Sequence, residues 1–86
     1  MSADRDAANK HRAMQTIRRI AREERCSVDD IFGHARHPDT DRARRRAMAV
    51  LRWSTQWSYP EIGRVFDRDH TTVLHAVRRY EEELNP

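Results

Sequence analysis

Between Ser58 and Arg79 the chain reads SYPEIGRVFDRDHTTVLHAVRR, and this stretch constrains the fold more than any other. Ile62, Val65 and Phe66 recur at helical spacing, and so do Val73, Leu74, Val77 and Tyr80. Asp67 and Arg68 break the pattern between the two sets. Ser58, with Glu61 three residues on, has the form of a capping box for the first helix, and Asp69 is a good cap for the second. Two short amphipathic helices joined by a tight polar turn are the sequence form of a helix-turn-helix. In that motif the first residues of the second helix meet base edges in the major groove. Here they are Asp69, His70, Thr71 and Thr72, short and polar, with Arg68 beside them.

The rest of the composition narrows the alternatives. Eighty-six residues allow one small domain. Gly33 and Gly63 are the only glycines, so no glycine-rich phosphate loop is present and no nucleotide is expected. No apolar run is long enough to span a membrane, and MSADRDAANK lacks the apolar centre of a signal peptide. The single cysteine, Cys26, excludes an intrachain disulfide and fits a reducing cytoplasm; a small apolar role near a helix end is expected for it.

The net charge of +3 is unevenly spread. Residues 10–25 carry Lys10, Arg12, Arg18, Arg19, Arg22 and Arg25 against Glu23 and Glu24, a net +4. Residues 36–52 carry Arg36, Arg42, Arg44, Arg45, Arg46 and Arg52 against Asp39 and Asp41, again +4. The remainder is net acidic, so phosphate attraction is expected from the segments before the helix-turn-helix. Only one of the seventeen basic residues is lysine. Arginine suits bidentate phosphate and guanine contacts, and a GC-rich genome would enrich it equally well.

In chain order, residues 1–9 are polar and expected as a flexible N-terminal segment, with 10–86 forming the domain. A first helix is predicted over 7–25, burying Met14, Ile17, Ile20 and Ala21. Arg18, Arg22 and Arg25 share another face, either a solvated surface or a second contact with nucleic acid or a partner. Ser27 caps a short second helix through Asp30, with Val28, Ile31 and Phe32 in the core. Residues 34–39, HARHPD, read as a loop, because Pro38 disfavours helix at His37. A third helix is predicted over 41–53, capped by Asp39 or Thr40, with Ala43, Ala47, Val50 and Leu51 inward. Arg42, Arg45 and Arg46 then lie elsewhere and can reach phosphates. Trp53 and Trp57 are expected to cover the core where the third and fourth helices meet rather than to stack on bases.

RDHTTVLHA, residues 68–76, preceded by PEIG, residues 60–63, resembles the signature of the DNA-binding domain (domain IV) of the bacterial chromosomal replication initiator DnaA family. DRARRRAMAVL resembles that family's basic helix, and SVDDIFGHAR its short helix ending in a basic loop, so the likeness runs from about Met14 to Glu82. The resemblance implies a five-helix, all-α, Trp-repressor-like fold that binds double-stranded DNA without cofactor or catalysis. It implies that Asp69, His70 and Thr71 read the bases of a short asymmetric box like TTATCCACA, and that Arg36 enters the minor groove. Arg44 and Arg52 match basic positions near the DNA backbone, and Ser58, Tyr59 and Pro60 stand where the family touches it. Arg45, Arg46, Arg68 and Thr72 complete the expected backbone set. The chemistry agrees: a carboxylate at Asp69 is useful against DNA only where it accepts from a cytosine amino group. Thr72 would take a phosphate at the positive end of the helix.

Two departures from the family pattern stand out. Most initiators carry Phe-Gly-Gly-Arg-Asp-His in the turn; this chain has Phe66-Asp67-Arg68-Asp69-His70, one residue shorter and without glycine. The turn is expected to close without the left-handed conformation, tilting the recognition helix and shifting the preferred sequence. The family also usually adds a helix beyond the recognition helix, whereas this sequence stops at Pro86. Without an ATPase module the expected role is a stand-alone, monomeric regulator of replication initiation or transcription, cytoplasmic and nucleoid-associated. The rivals are a protein-interaction module using the basic first helix and an excised domain of a full initiator. His34, His37, His70 and His75 lack the cysteine pair or carboxylates that would complete a metal site. No nucleophile, base and acid stand in the order a hydrolase needs.

Overall fold

Three helix starts in this protein follow local capping chemistry. The computed structural model describes residues 3–34 and 37–85, with side chains from Lys10 onward. Five helices occur there and no strand: α1 (Ala3–Glu23), α2 (Val28–Phe32), α3 (Pro38–Ser54), α4 (Tyr59–Phe66) and α5 (His70–Leu84). The Ser27 hydroxyl accepts from the Asp30 N–H at 2.9 Å while the Asp30 carboxylate accepts from the Ser27 N–H at 3.2 Å, a complete capping box. Ser58 caps α4 by accepting from the Glu61 N–H at 3.3 Å. Asp69 caps α5 by accepting from the Thr71 N–H at 3.1 Å. All three caps stand where the sequence places them.

Two boundaries differ from expectation. α3 begins at Pro38, inside the predicted loop, with His37 as N-cap and no side-chain cap bond. Proline suits the first helical position, because its ring presets φ and its missing N–H would have had no partner there. The restriction that proline imposes falls on His37, which is extended anyway at φ −128°, ψ 132°. Thr40 therefore lies inside the first turn and is buried rather than capping. At the other end of the chain, α1 begins at Ala3, so the backbone of 3–9 is helical where fraying was expected. α1 closes with Arg25 at φ 58°, where the Cys26 N–H reaches the Ala21 carbonyl at 3.0 Å and the Arg25 N–H reaches Arg22 at 3.3 Å. This is a Schellman ending with arginine in the place glycine usually takes.

α3 is the central element, packing against the other four helices. Its Ala43, Ala47 and Ala49 are fully buried, and small side chains let neighbouring helices approach closely. Around them gather Ile17 and Ile20 from α1, Ile31 from α2, Ile62 and Phe66 from α4, and Val73 and Val77 from α5. Met14, Val28, Phe32, Val50 and Val65, expected inside, are half-buried at its margin. Trp57 closes the α3–α4 corner, as expected, at 9% exposure. Trp53 does not join it: the ring is 50% exposed and leans on Tyr80 of α5, 6.1 Å between centroids.

Candidate nucleic-acid interface

The turn between α4 and α5 closes through one residue. Asp67 adopts φ 55°, ψ 51°, so the left-handed conformation is present after all, on aspartate instead of glycine. A short polar side chain tolerates that region better than most. The turn then crosses directly over Gly63. A Cβ at Gly63 would lie 2.4 Å from the Arg68 carbonyl oxygen, and the Arg68 N–H donates to the Gly63 carbonyl at 2.8 Å. Backbone meets backbone there, which only glycine permits.

α5 buries Val73, Val77 and Tyr80 against the core and turns its opposite face outward. Asp69, His70, Thr71 and Thr72 are all exposed at its start. Hydrogen bonds from Thr71 hold the Asp69 carboxyl below the usual aspartate range, so it is ionised at neutral pH. One of its oxygens takes the Thr71 N–H and the other lies 3.6 Å from His70 Nδ1. The cap bond uses only part of the acceptor capacity of the carboxylate, which keeps further lone pairs. Ser58, Tyr59 and Pro60 open α4, and Arg52 joins them: its guanidinium carbon sits 4.9 Å from the Tyr59 ring centroid, and Nη1 donates to the Trp57 carbonyl at 3.3 Å.

His75 and Arg78 follow Thr71 at i+4 and i+7, on the same exposed stripe of α5. Their helical spacing from Thr71 is legible in the sequence, although neither is among the residues expected at the DNA. Arg64, exposed on α4, is a third such residue. Arg64 and Arg78 place positive charge on the helix-turn-helix itself, in addition to that of the preceding segments.

Several arginines expected on phosphates have other partners. Arg44 is 8% exposed; its Nε donates to the Ile31 carbonyl and Nη2 to the Asp30 carbonyl, both at 2.8 Å, and Nη1 pairs with Asp41 at 2.9 Å. Arg68 donates to the carbonyls of Phe32, Gly33 and Phe66. The carbonyls of residues 30–33, the whole C-terminal end of α2, thus take N–H groups from two arginines. A five-residue helix leaves those carbonyls without partners of its own, and its end attracts positive charge. Arg45 pairs with Glu83 at 2.8 Å. Glu83 lies thirteen residues beyond His70, roughly 20 Å along α5 from the start of that helix. Arg46 pairs with Glu23 and with Glu24 of the α1 terminus, the latter at 2.8 Å, and Arg42 stands 3.8 Å from Glu24. Arg44, Arg45, Arg46 and Arg68, expected on phosphates, thus each form intramolecular ties in this structure. Arg36, expected in the minor groove, lies outside the described residues.

Among the described residues no group of three or more His, Cys, Asp or Glu could hold a metal ion, and no helix is long and apolar enough to cross a membrane. Burial, then the nearby Asp30 and Glu24 carboxylates, push the Cys26 thiol up from its ordinary value, which favours the unreactive thiol over the thiolate.

A helix-turn-helix whose second helix offers an exposed, capped, polar first turn defines a DNA-binding domain. The sequence comparisons narrow this. The model of the bacterial DnaA protein helix-turn-helix matches residues 13–79, and the chain belongs to that family. It is 41% identical over 83 residues to the chromosomal replication initiator protein DnaA of Psychromonas ingrahamii, which covers 91% of this chain and 18% of the relative. Against DnaA of Aquifex aeolicus it is 42% identical over 71 residues, 81% of this chain and 18% of the relative. Against that of Bartonella quintana it is 40% identical over 80 residues, 91% and 16%. The chain thus spans less than a fifth of the length of these relatives. No solved structure matches it.

Proposed function

We propose that this protein binds double-stranded DNA sequence-specifically at DnaA-box-like sites and occupies them as a regulator of replication initiation or transcription. The observation that carries the reading is the first turn of α5, where Asp69, His70 and Thr71 are exposed on a helix whose other face is locked into the core. Asp69 accepts from a cytosine amino group, His70 donates to or accepts from a base edge, and Thr71 offers its methyl to a thymine methyl. Thr72, Arg52 and the α4 start at Ser58, Tyr59 and Pro60 hold the flanking phosphates, with His75, Arg64 and Arg78 alongside. Arg36 reads the minor groove. Family membership supports the DNA partner; the exposed polar turn supports base reading.

The test is fluorescence anisotropy with a duplex carrying TTATCCACA against a scrambled duplex at two salt concentrations. Tighter binding to the box is expected, weakening as salt rises. His70→Ala should cost about 1–3 kcal/mol on the box and little on the scrambled duplex. Equal losses on both would sink the base-reading role.

A second reading has its own support. Arg12, Arg18, Arg19, Arg22 and Arg25 of α1 and its end are exposed, and none forms an ion pair among the described residues. An acidic protein partner would find an open surface there, and binding that survives loss of Asp69, His70 and Thr71 would favour it.

A further inference from the structure

We propose that Arg68 is a positioning residue for base reading: it ties the C-terminal ends of α2 and α4 together at the entry to α5 and does not itself contact phosphate. This rests on the DNA-binding reading above. Three carbonyls define the role. Phe66 ends α4, and its oxygen accepts from Arg68 Nη1; Phe32 and Gly33 end α2, and their oxygens accept from Nη1 and Nη2. These ends are more than thirty residues apart in sequence, and one planar guanidinium joins them.

The rest of the junction agrees. On its apolar side the Phe32 and Phe66 rings meet at 5.4 Å with a 35° tilt. On its exposed side His34 Nε2 lies 3.8 Å from the Asp67 carboxylate. The Arg68 main chain is held as well, against Gly63. The very next residue, Asp69, is the cap and the first base reader. Arg68 is thus fixed through both side chain and backbone, one position before the residues that must meet base edges. Base contacts require placement within about half an ångström, whereas phosphate contacts tolerate more. Turning the guanidinium out to a phosphate would leave three helix-end carbonyls without their donor.

The experiment compares Arg68→Lys and Arg68→Gln with the wild-type chain, by anisotropy on the TTATCCACA and scrambled duplexes over a salt series. Folding is checked by thermal melting. Both variants are expected to lose about tenfold or more of the preference for the box, with the salt slope unchanged. Lysine should not rescue, because a single ammonium cannot span carbonyls that lie in different directions. The proposal is overturned if Arg68→Lys keeps wild-type preference while Arg68→Gln weakens both duplexes alike and lowers the salt slope by about 0.9, the signature of one lost phosphate contact. Unchanged binding by both variants overturns it too. Should the variants not fold, the wild-type side-chain N–H signals of Arg68 decide by nuclear magnetic resonance. Protection from exchange that persists when box duplex is added supports the tie, and release on DNA binding refutes it. A wild-type chain that ignores both duplexes removes the DNA reading first, a failure seen before any variant is compared.

Discussion

Two stretches of this chain carry the same net charge of +4 and put it to opposite uses. In residues 10–25 the arginines of α1 point outward and none forms an ion pair among the described residues, while Glu23 and Glu24 reach across to α3. In residues 36–52 the described arginines are engaged: Arg44 on α2 carbonyls, Arg45 on Glu83, Arg42 and Arg46 on the α1 glutamates, Arg52 on Tyr59 and Trp57. The cause is position. α3 is central, so polar side chains on its margins fall within reach of other helices, whereas α1 lies at one edge with a free face. Net charge along a sequence therefore does not measure the charge available to DNA.

The comparison can be broken most sharply at Arg44. Arg44→Ala strands two carbonyls at the end of α2 and should cost about 3 kcal/mol of stability in urea unfolding; a cost comparable to that of an exposed arginine would refute its capping role. Gly63→Ala forces a methyl against the Arg68 carbonyl and should cost about 2 kcal/mol. A variant as stable as wild type would show that the α4–α5 turn has room to move. Arg46→Ala should lose about 1 kcal/mol of stability, as a partly exposed paired group does, and leave the salt dependence of DNA binding unchanged; a slope reduced by about one would return Arg46 to a phosphate. Arg18→Ala and Arg22→Ala should leave stability within about 0.5 kcal/mol, and any larger change would mean that the α1 face is not free.

The smallest expected effect is a pH dependence from the helix caps. Hydrogen bonds from Thr71 lower the Asp69 carboxyl, and those from Ser27 lower that of Asp30. A depressed folded value means the contribution is complete above the ordinary aspartate range and is lost as pH falls through the lowered value. Acid titration by circular dichroism should show helix loss in that window, and Asp69→Asn should remove its share, since the amide oxygen still accepts from Thr71 but does not titrate.

What the sequence by itself determined is local. The caps at Ser27, Ser58 and Asp69 and the apolar faces of α4 and α5 rest on residues within one or two turns of each other, where period and capping act, and the helix-turn-helix and the family likeness are chained from such local patterns. Pro38 as a helix start belongs to the same local range: its constraint falls on His37, and the helix begins with the proline itself. Tertiary structure decided the rest. Arg44 finds its carbonyl partners 13 and 14 residues away, and Arg68 finds two of its own 35 and 36 residues away. A guanidinium carries the same charge and the same fork of donors whether it meets a phosphate or a helix end. Only the placement of α2 against α3 and the turn determines which of the two it meets.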